Sequence, residues 1–94
     1  MHFVYIIYSE KSDKYYIGET YETGQRLKFH NSREDNTNST KSGIPWILFL
    51  ALQVENRSVA RKIETHIKRM KSKTYIQNLK KYPEMQLKLI KKYS

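Results

Sequence analysis

Tyr5 and Tyr16 stand on two successive strand-like segments, and Arg26, His30 and Glu64 follow them along the chain. A phenol, a guanidinium, an imidazole and one isolated carboxylate are together sufficient to hydrolyse a phosphodiester with a single metal ion. The carboxylate offers a hard oxygen ligand. The guanidinium forks onto a phosphate, and a phenol or an imidazole can move a proton. No member of the set is diagnostic alone. The chain has eight tyrosines, and strand tyrosines commonly fill cores. Arg26 and His30, at i and i+4, share one helix face, a spacing that an ordinary solvated surface also shows. Glu64 is the sharpest signal. It stands between Ile63 and Ile67 at the edge of an apolar stripe, and a carboxylate is seldom buried without a partner. A metal or a basic residue is therefore implied, and Lys68 is within reach at i+4.

The elements that must position these groups can be read from residue type and period. Phe3 to Tyr8 is β-branched and aromatic throughout, as expected of a central strand buried on both faces. Ser9 to Lys14 is polar, with Asp13 suited to a turn, and Tyr15 to Gly18 resumes strand character, so the pair reads as an antiparallel hairpin. Gly18 is expected to end the second strand, with a positive φ or a close backbone approach. Thr20 to about Ser32 reads as a helix capped by Thr20 or Thr23, with Gly24 arguing against it. Arg33 to Gly43, rich in Asn, Ser and Thr, reads as a mobile loop. The apolar run from Pro45 to Leu52 reads as a third strand.

Asn56 or Ser58 caps the next helix, whose apolar stripe is Val59, Ala60, Ile63, Ile67 and Met70. A short helix holding Ile76, Leu79 and Tyr82 follows, Pro83 interrupts, and Met85, Leu89, Ile90 and Tyr93 mark a last helix. The order β-β-α-β-α-α-α predicts an α+β domain: a three-stranded, mainly antiparallel sheet flanked by helices. Residues 1–94 read as one domain, with 83–94 as a C-terminal helical extension.

Composition bounds the partners. The net charge is +9, and the chain has no cysteine, which excludes disulfides and thiolate metal sites. Residues 1–56 carry six Lys/Arg and seven Asp/Glu, whereas residues 57–94 carry twelve and two. A basic half of this kind favours a polyanion, nucleic acid before membrane. No apolar run reaches the roughly 20 residues needed to cross a bilayer, and the N-terminus lacks a signal-peptide pattern. The expected location is cytoplasmic.

The segments Phe3-Val4-Tyr5 and Tyr16-Ile17-Gly18 resemble the paired motif of the GIY-YIG nuclease superfamily. Phe3 replaces the first glycine and the second segment matches in full. Arg26, His30, Glu64 and Asn78 fall in the family's order, and the Gly-Ile-Pro-Trp entry at residues 43–46 is similar to small stand-alone bacterial members related to the nuclease domain of the UvrC repair protein. The resemblance implies a metal-dependent DNA endonuclease acting in repair or recombination, with one Mg²⁺ or Mn²⁺ ion bound by Glu64. It implies Tyr5 as general base with a pKa lowered by cationic neighbours, and Tyr16 as a ligand of phosphate or water. Arg26 would neutralise the phosphate, His30 would orient the water or assist proton transfer, and Gly18 and Asn78 would support the site. Glu19 departs from a family position that often holds lysine. It is expected to pair with Lys14 or Arg26, or to add a second carboxylate.

Arg57, Arg61, Lys62, Lys68, Arg69, Lys71 and Lys73 are the expected phosphate contacts, which position DNA without reading its sequence. Specificity would then be low, or supplied by a protein partner or a DNA structure. The alternative is a non-catalytic nucleic-acid-binding module of the same fold.

Overall fold

A computed structural model describes residues 1–94. Its sheet has the order β2-β1-β3, with β1 (His2–Ser9) central and β2 (Lys14–Thr20) and β3 (Trp46–Val54) at the edges. Both pairings are antiparallel. Four helices complete the α+β fold: α1 (Thr23–Asn31), α2 (Arg57–Met70), α3 (Lys73–Lys81) and α4 (Pro83–Tyr93).

Because side chains alternate along a strand, β1 serves two cores. Val4 and Ile6 face one way. With Ile17, Leu52 and Val54 they pack against Val59, Ala60, Ile63 and Ile67 of α2, Ile76 and Leu79 of α3, and Leu89 of α4. Tyr5 and Ile7 face the other way, into a smaller cluster with Ile44 and Trp46 that Tyr16 and Leu27 border. The chemistry-bearing tyrosines therefore belong to the small core, on the side of α1. Residues of β3 are buried unevenly, and Ile47 and Leu48 are exposed. The apolar run reflects strand propensity more than two-sided burial.

Several local expectations need correction. Gly18 does not end β2. It lies within the strand, opposite Tyr5, and no glycine has a positive φ. Its role is close approach: a Cβ at Gly18 would overlap the Tyr5 ring. The cap of α1 is Glu22 rather than either threonine, its carboxylate accepting the Gly24 and Gln25 backbone N–H groups. Thr20 instead closes a turn with the backbone of Glu22. For α2 the cap is Asn56, which accepts the Val59 N–H. Met70 and Tyr82 are exposed, because each stands at the end of its helix where the sheet no longer reaches.

The segment from Arg33 to Gly43 is not an open loop. Asn36, Thr40 and Gly43 are buried, and Ser39–Gly43 forms a 3-10 turn capped by Asn38. Asparagine and threonine side chains supply hydrogen bonds here that regular structure supplies elsewhere. Asn31 clamps the far end, its amide exchanging two bonds with the Trp46 backbone at 2.9 and 2.6 Å. The indole N–H of Trp46 donates to the Thr40 carbonyl at 2.7 Å.

Substituting Gly18→Ala forces the new methyl into the Tyr5 ring. The variant is expected to lose about 1–3 kcal/mol, the usual cost of overpacking, measured by urea denaturation. A stability equal to wild type would show that the ring can move away freely.

Candidate functional site

Tyr5 is the hub. Its ring lies across the bare backbone of Gly18, toward the edge formed by β2, and is only 2% exposed. His30, on the last turn of α1, is fully buried beneath it, and its Nε2 lies 2.9 Å from the Tyr5 hydroxyl. The other ring nitrogen, Nδ1, lies 2.8 Å from Thr40 Oγ1. Asn36 closes the chain, donating from Nδ2 to Thr40 Oγ1 at 2.9 Å and to the His30 carbonyl at 2.8 Å. Arg26, one helical turn before His30, donates from Nε to the Tyr5 hydroxyl at 3.3 Å, and its guanidinium rests on the Phe29 ring.

The Tyr5 hydroxyl, His30 and Thr40 form one buried hydrogen-bonded chain, which Arg26 Nε joins at the phenolic oxygen and Asn36 Nδ2 joins at Thr40. Burial, followed by the charge of Arg26, pushes the His30 pKa down to about 4, so the imidazole is neutral at neutral pH. For Tyr5 the expected depression does not occur. Burial raises its pKa and outweighs the hydrogen bond and charge of Arg26, and the charges of Tyr16 and Glu64 add to the rise. At neutral pH Tyr5 is a phenol.

Tyr16, half-buried, stands beside both groups, with its ring centroid 6.4 Å from that of Tyr5 and 5.0 Å from that of His30. Glu64 comes from the other side of the sheet. It lies at the flank of α2, close enough for its charge to act on Tyr5. Its side chain is 20% exposed, and Lys68 Nζ holds Oε2 at 2.6 Å. Oε1 has no protein partner. No group of three His, Asp or Glu side chains gathers anywhere in the chain. One partly exposed carboxylate with a free oxygen suits a cation that keeps most of its waters, such as Mg²⁺.

Glu19 pairs with neither Lys14 nor Arg26. It lies on the opposite face of β2 from Gly18, where His2 engages Oε2 and Arg57 approaches Oε1 at 3.4 Å. Both oxygens are occupied, so it adds no free carboxylate. His2, Glu19, Thr20, Tyr21, Arg26 and Arg57 line a cleft of about 310 Å³ at this edge of the molecule. Asn78, half-buried on α3, makes no side-chain bond to the site, and its carbonyl accepts the Tyr82 N–H.

Of the basic residues, Arg57 and Lys68 share the Glu64 flank of α2, and Lys73 bonds Asp13 at the β1–β2 turn. Lys71 ends α2 in the left-handed conformation. Arg61, Lys62 and Arg69 line a separate cavity of about 550 Å³ between α2 and α4. Sequence reasoning missed Asn36 and Thr40. Both lay in a segment that reads as loop, and a threonine four residues after an asparagine carries no signal that it will face a histidine.

The family model described as the GIY-YIG catalytic domain matches residues 1–82. Neither a curated protein nor a solved structure matches the chain.

The depressed His30 pKa has a stability consequence. Its stabilising contribution is complete above the ordinary value of 6.5 and is lost as pH falls from there toward about 4, because the unfolded chain then binds the extra proton. Wild-type urea midpoints are expected to drop between pH 6.5 and 4.5 more steeply than those of His30→Gln. Parallel profiles would show that His30 carries no such penalty.

Proposed function

The chain belongs to the GIY-YIG family, a nuclease superfamily, and on that premise we propose that it is a metal-dependent DNA endonuclease acting in repair or recombination in the cytoplasm. The observation that carries this reading is the Tyr5 hydroxyl, held by Arg26 and His30, with Glu64 near enough for its charge to act on it. In this reading residues 1–94 are a single nuclease domain, with 83–94 as its C-terminal helical extension.

Glu64 would hold one Mg²⁺ or Mn²⁺ ion through its free oxygen, and that ion, when bound, would supply positive charge to offset the phosphate and ease loss of a proton from water or phenol. Arg26 binds a non-bridging phosphate oxygen with the N–H groups that Tyr5 leaves free. It stabilises the charge that develops there. Tyr16 donates its hydroxyl to a second phosphate oxygen or holds the attacking water. Tyr5 acts through its hydroxyl. As a phenol it donates to the phosphate, and it becomes a base only once that proton is lost, its phenolate then held by the Arg26 N–H. His30 is a positioning residue: buried beneath Tyr5, it reaches the reacting atoms only through that side chain. Gly18 leaves room for the Tyr5 ring, and Asn78 supports α3 beside the site. The DNA is held by Arg57 and Lys68 along the Glu64 flank, with Lys71 and Lys73 beyond. Nothing in the fold adds a base-reading element, so specificity comes from DNA structure or a protein partner.

One observation favours the alternative of a non-catalytic binding module: Lys68 already neutralises Glu64. The two readings part in a nicking assay on supercoiled plasmid and branched DNA. The nuclease reading expects Mg²⁺- or Mn²⁺-dependent cutting that EDTA abolishes. Tyr5→Phe, Arg26→Ala and Glu64→Ala should each lower the rate about 10²–10⁴-fold, the range of general acid–base and charge-stabilising groups. Salt-sensitive binding without cutting by any of these ions would establish the alternative. Cutting that survives unchanged in Glu64→Ala would remove this site as its source.

A further inference from the structure

The cavity between α2 and α4 lies outside the chemistry described above. Arg61, Lys62, Thr65, His66, Arg69, Met70 and Tyr93 line it, with no acidic side chain among them. None of its three permanent cations takes part in an ion pair; the four pairs of the molecule involve His2, Arg57, Lys68 and Lys73. His66 Nδ1 and the Tyr93 hydroxyl, 2.8 Å apart, tie the two helices together at the cavity wall. Burial, followed by the charges of Lys92 and Arg69, lowers the His66 pKa. The family match ends at Tyr82, and α4 begins at Pro83. Tyr93, which completes the cavity, therefore comes from beyond the matched domain.

Successive residues of an α-helix are turned by about 100°. Glu64 and Lys68 therefore lie on one flank of α2, and Lys62, His66 and Arg69 on the other. Between them runs the outer surface of the helix with Arg61 and Thr65. The flanks are separated by about one helix diameter, ~10–12 Å, which is about three nucleotides of a B-form strand at ~3.4 Å each. Unpaired cations, a hydroxyl and an imidazole without a carboxylate make a surface for phosphate rather than for a neutral or cationic group.

We propose that this cavity is a second phosphate-binding site, which seats the backbone of a DNA strand on the flank of α2 opposite Glu64. The nuclease reading enters only in naming the polyanion as DNA. The site anchors the strand a few nucleotides from the scissile bond and needs α4 to exist.

The test is binding of a labelled 20-base-pair duplex by the full chain in EDTA, followed by fluorescence anisotropy across a salt series. Without divalent ions no cutting is required, so a failure here is separate from a failure of the nuclease reading. Arg61→Ala/Arg69→Ala changes two exposed side chains that make no internal bond. It should reduce the log–log salt slope by about 1.8, at about 0.9 for each phosphate no longer neutralised. Lys88→Ala/Lys91→Ala removes the same charge from elsewhere on α4 and should leave the slope within about 0.5 of wild type. An unchanged slope in the arginine variant, or an equal fall in both variants, would overturn the site in favour of diffuse charge. In a parallel NMR titration the His66 ring signals should shift on adding the duplex. A shift with inorganic phosphate but none with duplex would make this a small-anion site and would also overturn the proposal.

Discussion

The site depends on where one phenolic ring can lie. Tyr5 starts on the central strand, in the middle of a packed sheet, where its hydroxyl would ordinarily end in the small core. Opposite it on β2 stands a residue with no side chain, and the ring lies flat across that gap. The hydroxyl is thereby carried to the edge of the sheet. Once there, it is fixed from two further directions, by His30 beneath and Arg26 beside. Interiors pack at the density of organic crystals, so a ring held this way has little freedom to swing. Its position is set by α1 and by the segment that holds His30 in turn.

That second dependence gives the residues between α1 and β3 their purpose. A buried imidazole is costly unless both ring nitrogens are paired. Thr40 pairs one of them, and Asn36 orients Thr40 while holding the His30 carbonyl. Asn31 and the Trp46 indole tie the ends of the segment to β3. The run is thus the wall of the site rather than a tether between elements. The sheet separates the rest: both tyrosines, Arg26 and His30 stand on one face, and α2 with Glu64 packs on the other. They meet only around β2, and the short span of that edge strand is what lets a carboxylate from one side act on a phenol from the other.

The fold was legible in the sequence wherever burial repeats with a period. The two-faced β1, the amphipathic α2 and the break at Pro83 all follow from side-chain alternation and helical spacing. The site was legible in its members but not in their relations. Residue types picked out Tyr5, Arg26, His30 and Glu64, yet nothing in a linear spacing says that His30 lies beneath Tyr5 instead of beside it. Nor could composition tell that burial would outweigh Arg26 at the phenol. The capping of α1 by Glu22 was hidden because glutamate is an uncommon cap and two threonines stood nearby. The ordered character of Asn36 to Gly43 was hidden because asparagine and threonine look alike whether they face water or each other.

The departure at Glu19 shows how charge is balanced around the cleft. A carboxylate beside the YIG motif would weaken the attraction for phosphate if it stood alone. It does not, because Arg57 pairs with one of its oxygens and His2 bonds the other. Arg57 is 67% exposed while Glu19 is 19% exposed, so the guanidinium reaches solvent from a carboxylate that His2 also holds. Lys68, half-exposed, stands on the less exposed Glu64 in the same way. Both acids carry a counter-charge from α2, the helix that also presents its unpaired cations on the far flank.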